Sequence, residues 1–202
     1  MSRTAHWRPR RTLRAAAGRC VAAHLGAYDL TASIGVTAID QRMDHPVCDA
    51  ARVMMQLALA GTGVAVVDGV TTVLPVGASG DAVHDAWKIH AINVRRALAM
   101  GIYEGWDVHP AQLPARYGAL HAFFLEGRAA MAARLAGFVE RATKATRSGQ
   151  VFDDAATGQG LLQFFVRGVA CGALSDDDVA KAGLTTSELA SRSFADIVAA
   201  RS

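Results

Sequence analysis

Apolar positions along the chain fall into three short compact runs separated by longer stripes of helical period. The first run, Val21 to Leu25 (VAAHL), reads as a strand buried on both faces. It passes into Gly26-Ala27-Tyr28-Asp29, a turn that sets one carboxylate just past the strand's end. The second run, Val64 to Val67, is β-branched and ends at Asp68-Gly69, again with an aspartate at the strand's C-terminal end. The third, Trp106 to His109, is stopped by Pro110.

Two helices are expected between these runs. Pro46 opens the first, Ala50, Val53, Met54, Leu57 and Ala58 recur at helical spacing, and Gly61 stops it. Ser79 or Asp81 caps the second. Its stripe is Val83, Ala86, Trp87, His90, Ala91, Val94, Ala97 and Leu98, closed by Gly101. Beyond Pro110 the pattern is helical throughout. Tyr117, Leu120 and Phe124 share a face, and Gly127 separates them from a stripe of Met131, Leu135, Phe138, Val139 and Ala142. Residues 151–202 read as three short helices, one carrying Leu161, Leu162, Phe164 and Phe165. Ser175 with Asp178 and Thr185 with Glu188 are spaced as capping boxes. Alternating strands and helices predict an α/β fold with a parallel sheet, the Val64 strand lying between the other two.

Composition fits a globular chain, with 51% hydrophobic and 19% charged residues. No run of 18 apolar residues occurs, so no transmembrane helix is expected. Charge is divided unevenly. Six arginines precede Asp29, the first acidic residue, and removing them from the net charge of +3 leaves −3 for the rest. The body therefore offers no basic face for nucleic acid. The leader, residues 1–18, is Arg-rich and acid-free as a transit peptide would be; bacterial coding bias or a start inside a longer frame are simpler accounts. A short helix is plausible over residues 10–17. Cys20, Cys48 and Cys171 are an odd, scattered set without CxxC spacing, which argues for free thiols in a reducing cytoplasm and against a zinc site.

By position alone, Asp29 and Asp68 read as turn or N-cap residues. His90, on the apolar stripe, reads as a packed helix histidine, and His84 is badly spaced to join it as a ligand. Asp154 reads as the cap of a helix starting at Ala155. His109 beside Pro110 reads as structural.

Three motifs change that picture. Gly26-x-x-Asp29-Leu30-x-x-x-Ile34-Gly35, Val64-Ala-Val-Val-Asp68-Gly69 and Trp106-Asp-Val-His109-Pro110-x-Gln112 occur in this order. Together they resemble the HpcH/HpaI aldolase and citrate lyase β-subunit family over roughly Ala15 to Arg147. The resemblance implies a partial (β/α)8 TIM barrel, about its last three βα units, at residues 19–147, with a helical extension at 148–202.

It also implies a Mg²⁺-dependent carbon–carbon lyase or aldolase acting on an oxo acid or its acyl-CoA thioester. Charge developing on an enolate oxygen would be met by the divalent ion as a Lewis acid. Asp29 matches the family's metal aspartate. The backbone N–H groups of Ala27 and Tyr28 match the turn that receives the substrate carboxylate. Asp153-Asp154 stand where relatives that cleave acyl-CoA carry an acid/base aspartate reaching into a neighbouring subunit. The chain departs from the family in lacking the glutamate partner and the substrate arginine of earlier strands. Two functions follow as expectations: the lyase itself, or a non-catalytic half-barrel remnant or assembly subunit pairing with another chain. A homo-oligomer in the cytoplasm is expected in either case, because unclosed strand edges call for a partner.

Overall fold

A computed structural model describes residues 15–16, 18–77, 79–150 and 154–202. The helix expected over residues 10–17 lies almost wholly outside them, as does Asp153. Contacts divide the chain into two compact units, residues 1–117 and 118–202.

Unit 1 is built on a three-stranded parallel sheet. β1 (Ala22–His24) pairs with β2 (Ala65–Asp68), and β2 with β3 (Glu104–Gly105), in the order β1-β2-β3. The register runs Ala22 beside Ala65 and His24 beside Val67, then Val67 beside Glu104 and Asp68 beside Gly105. The order and direction are those expected from right-handed crossovers. The crossovers are α2 (Pro46–Leu59) and α3 (Gly80–Ala99), and α1 (Ala27–Ser33) follows β1 directly.

The partial TIM barrel is corrected. The structure is 65% helical, and among the described residues the strands, of three, four and two residues, make only this small sheet. The third strand stops at Gly105 instead of running from Trp106 to His109. Two interactions end it there. The Arg116 guanidinium lies where a Cβ on Gly105 would stand, 2.5 Å from that position, and Asp107 is drawn onto Arg116 and His90. Pro110 then opens a 3-10 turn, Pro110–Gln112, whose N-cap is His109. Alanine-rich segments, strong helix formers, account for most of what remains.

The core of unit 1 lies between the sheet and α2. Leu25, Ala27, Met43, Cys48 and Met55 are buried, with Ala23 and Val66 packed on them. The inward face of α2 is Cys48, Arg52, Met55 and Leu59. The stripe read from the sequence points elsewhere: Val53, Met54 and Leu57 are exposed. An arginine is turned inward because an acid waits for it on β2, as described below. On α3 the expected stripe does face inward, with Ala86, His90, Val94, Ala97 and Leu98 buried and Ser79 capping the helix.

The boundary between the units falls inside α4 (Leu113–Arg147), a single helix of 35 residues. Gly127, expected to break it, does not. A Cβ there would stand 3.2 Å from the Phe164 ring, so this glycine admits a close helix approach. Unit 2 continues with α5 (Ala155–Ala170), α6 (Asp176–Lys181), α7 (Thr186–Ser191) and α8 (Phe194–Arg201), one helix more than the sequence suggested. Both expected capping boxes form, Ser175 with Asp178 and Thr185 with Glu188. The core is aromatic and aliphatic. Phe124, Leu135, Leu162, Phe165 and Phe194 are fully buried, and the Phe124 and Phe164 rings meet edge to face with centroids 5.1 Å apart.

Candidate functional site: the C-terminal rim of the sheet

Strands of one direction deliver their following loops to one rim. The three motifs therefore converge there, in the segments after β1, β2 and β3. Three contacts hold the segments together. A Cβ on Gly69 would stand 3.2 Å from the Ala27 side chain and 2.6 Å from Met43 Sδ, so the β2 segment passes close under α1. Tyr28 Oη meets Thr72 Oγ1 at 3.1 Å. Gln112, fully buried, donates to the Thr71 carbonyl at 2.8 Å and accepts the N–H groups of Val108 and His109.

Beneath the rim lie two buried polar chains. Arg52, 1% exposed, sets its planar fork on Asp68: Nε to Oδ1 at 2.8 Å and Nη2 to Oδ2 at 3.3 Å. Its Nη1 donates to the Met43 carbonyl and to Asp49, which also accepts from Arg96 on α3. Burial works to raise the Asp49 carboxyl, and the hydrogen bond from Arg96, helped by both guanidinium charges, outweighs it and holds the group below its ordinary range. Asp68 accepts a third bond from the Gly69 N–H at 2.9 Å.

The second chain runs Asn93–Thr71–His90–Asp107–Arg116. Asn93 Nδ2 donates to Thr71 Oγ1 at 3.0 Å, and the same hydroxyl meets His90 Nδ1 at 2.9 Å. An acceptor-only carboxylate faces the other ring nitrogen, Asp107 Oδ1 lying 2.8 Å from His90 Nε2, so the proton of a neutral His90 is assigned to Nε2. That contact has the length of a hydrogen bond but lies off its axis, so both atoms lack a well-directed partner. Arg116 Nε closes the chain on Asp107 Oδ2 at 2.5 Å. Burial pushes the His90 imidazole below its ordinary range; Arg116 adds to this and Asp107 opposes it. A cavity of about 20 Å³ beside these groups has room for about one water.

Asp29 is exposed in the first turn of α1. Tyr28 is half-buried, and Ala27 is buried with its N–H donating to the Leu25 carbonyl at 3.1 Å. Ala27 thus presents no free amide. The Tyr28 N–H stands in the first helical turn, where no intrahelical carbonyl is available. Asp154 is exposed at the N-cap of α5 without a side-chain capping bond. It belongs to unit 2, while Ala27, Tyr28 and Asp29 belong to unit 1. His109 Nδ1 accepts the Ala111 N–H at 3.1 Å, which is a capping role.

A Mg²⁺ ion needs several oxygen ligands in near-octahedral array. Among the described residues no group of three His, Cys, Asp or Glu side chains is placed to hold a metal. Asp68 and Asp49 are taken up by arginines, and Asp29 brings one carboxylate alone. The described residues by themselves do not fit the ion.

A family profile, "Domain of unknown function (DUF6986)", matches residues 4–197, nearly the whole chain. The chain belongs to the DUF6986 family. Comparison with curated proteins and with solved structures gives no match. In this DUF6986 chain, sequence reasoning found the rim and its aspartates but missed Arg52, Thr71, Asn93 and Arg116. One signal was available for Arg52. Cys48, Arg52, Met55 and Leu59 share a helix face, and a cation on an apolar face requires a buried acid. Thr71, Asn93 and Arg116 carry no local signal, because their partners are set by tertiary contacts.

Proposed function

We propose that the DUF6986 chain contributes part of a carbon–carbon lyase site for oxo acids or their acyl-CoA thioesters, located at the C-terminal rim of its sheet. One observation carries the reading: three segments resembling one lyase family, far apart in sequence, meet at one rim of a parallel sheet. Such rims are where α/β proteins hold ligands. Tyr28 would direct its hydroxyl and first-turn amide to the substrate, and Asp29 would supply one oxygen ligand toward Mg²⁺. Asp153 and Asp154 stand as acid/base candidates for the acyl-CoA form of the reaction in a neighbouring subunit's site. The other oxygen ligands must come from beyond the described residues.

A second reading, a non-catalytic assembly subunit, draws on the edge of β1 that no strand among the described residues covers. Leu25 N and the Val21 carbonyl bond toward β2, so the alternate residues Ala22 and His24 turn their backbone groups to the opposite edge. Ala22 and His24 are exposed, and an apolar cavity of about 430 Å³ lined by Ala23, Leu30, Met54 and Leu59 lies beside them. Both readings favour an oligomer. Three free cysteines support a cytoplasmic setting, and among the described residues no helix is long and apolar enough to cross a membrane.

The test is pyruvate, glyoxylate or acyl-CoA release from a panel of 3-hydroxy and oxo acids and their thioesters, with Mg²⁺ or with chelator. The lyase reading expects little release from this chain alone and metal-dependent release once complementary strands supply the remaining ligands, abolished there by Asp29→Asn while the circular dichroism spectrum is unchanged. Release indifferent to chelator and to Asp29→Asn contradicts it. A defined oligomer that stays inactive with those strands supplied favours the assembly reading.

A further inference from the structure

A groove in unit 2, remote in sequence from the rim motifs, has the features of a ligand site. Its volume is about 650 Å³, within the range of small-molecule pockets. Its floor is Val139 and Ala136 of α4, with Thr143 beside them, and its rim carries Lys144, Arg147 and Arg201. We propose that this groove binds a small organic anion, its phosphate or carboxylate held by Lys144, Arg147 and Arg201 and its apolar part lying on Val139.

Three observations support this. Arg201 is fixed before any ligand arrives. Its Nε and Nη2 grip Glu188 at 2.6 and 2.7 Å, and Nη2 also donates to the Gly183 carbonyl at 2.7 Å. Among the described residues nothing takes its Nη1, which remains a pre-set donor, and pre-setting lowers the ordering cost of binding. Arg147 donates from Nη2 to the Arg201 carbonyl, which ties it to the same wall, and neither it nor Lys144 forms an ion pair among the described residues. Finally, Thr143 is 9% exposed, and its hydroxyl has no partner among the described residues. Two other helical threonines bond back to the preceding turn, Thr31 to Ala27 and Thr146 to Ala142. Thr143 lines the groove with its hydroxyl turned inward and unsatisfied among the described residues, and rotation about its Cα–Cβ bond would bring that hydroxyl to the groove in place of the methyl.

Each cation also offsets the negative end of its own helix. That role does not require the ends of α4 and α8 to converge on one cavity. Glu140 is the single unpaired carboxylate among the lining residues and lies one turn before Lys144. It limits the charge the groove accepts, so Glu140→Gln should tighten binding.

Calorimetric titration of the full chain with inorganic phosphate and, separately, with malonate tests the proposal and distinguishes the two anion types. Saturable binding of one of them with Kd of about 1 mM or tighter is expected, weakening with added salt. The double variant Lys144→Gln with Arg147→Gln should weaken it about tenfold or more, with circular dichroism confirming an intact fold. Absence of saturable binding of both anions, or equal binding by the double variant, overturns the proposal.

Discussion

The two units of this chain are stabilised by different means. Apart from Thr143, every buried polar residue among those described belongs to unit 1: Thr31, Arg52, Asp68, Thr71, His90 and Gln112. Unit 2 is held by buried phenylalanines and leucines, with rings meeting edge to face, and its ion pairs, Glu188 to Arg201, Asp178 to Arg128 and Asp177 to Lys181, lie near the surface. An apolar core specifies volume, whereas matched buried polar groups specify which atom faces which. Charge burial adds little net stability, so its use under one rim points to positioning. Unit 1 spends its buried hydrogen bonds on the rim that carries the motifs.

The largest expected effect comes from breaking the Arg52–Asp68 fork. Arg52→Met leaves the Asp68 carboxylate buried without its partner and should cost about 3–5 kcal/mol. Urea unfolding followed by tryptophan fluorescence reads it, since Trp87 and Trp106 lie in unit 1 and unit 2 has no tryptophan. Adding Asp68→Asn should recover part of the loss by removing the stranded charge. A single variant costing under about 1 kcal/mol would mean that the pair is solvated and the contrast between the units is overstated.

Unit 2 should respond instead to volume. A Cβ on Gly158 would stand 2.6 Å from the Phe194 ring. Gly158→Ala should therefore cost about 1–3 kcal/mol through overpacking, seen as a lower denaturation midpoint of the helical signal at 222 nm. A neutral Gly158→Ala would show that the Phe194 ring has room to move.

Acid should separate the units, with a smaller effect. His90 is held neutral below its ordinary value of 6.5, so the unfolded chain takes up a proton first as pH falls through 6.5. Stability from this group is complete above that value and is lost as pH falls toward the lower folded value. Glu188 is pulled from 4.5 to about 2 by the hydrogen bond from Arg201, so its contribution persists above 4.5 and is lost between there and about 2. After discount for its partial exposure that contribution is about 1–2 kcal/mol. Acid titration should thus weaken the unit 1 tryptophan transition before the helical one, and His90→Gln should flatten the unit 1 response between pH 7 and 5. Simultaneous loss of both signals near pH 4 would contradict this ordering.

Much of the sheet was legible because strand direction and order follow from short apolar runs joined by helices. The α3 stripe and both capping boxes were readable for the same local reason. The barrel was not borne out. Trp106 to His109 has strand composition, but Asp107 is committed to His90 and Arg116, partners that no local pattern reveals. The facing of α2 was misread because hydrophobicity alone favoured Val53, Met54 and Leu57, while a buried salt bridge turned Arg52 inward. Gly127 looked like a helix break and proved to be a packing contact with Phe164. Of the candidate site, Tyr28 and Asp29 could be placed from sequence, whereas the polar chains beneath them could not.

The most direct test of the rim as a functional site is an amide-resolved NMR titration with oxalate, a planar dicarboxylate resembling an enolate, with and without Mg²⁺. The account predicts shifts concentrated at Gly26 to Asp29 and Asp68 to Thr72, enhanced by Mg²⁺ in the wild type and not in Asp29→Asn. Shifts confined to other residues, or a Mg²⁺ enhancement that survives Asp29→Asn, would contradict it.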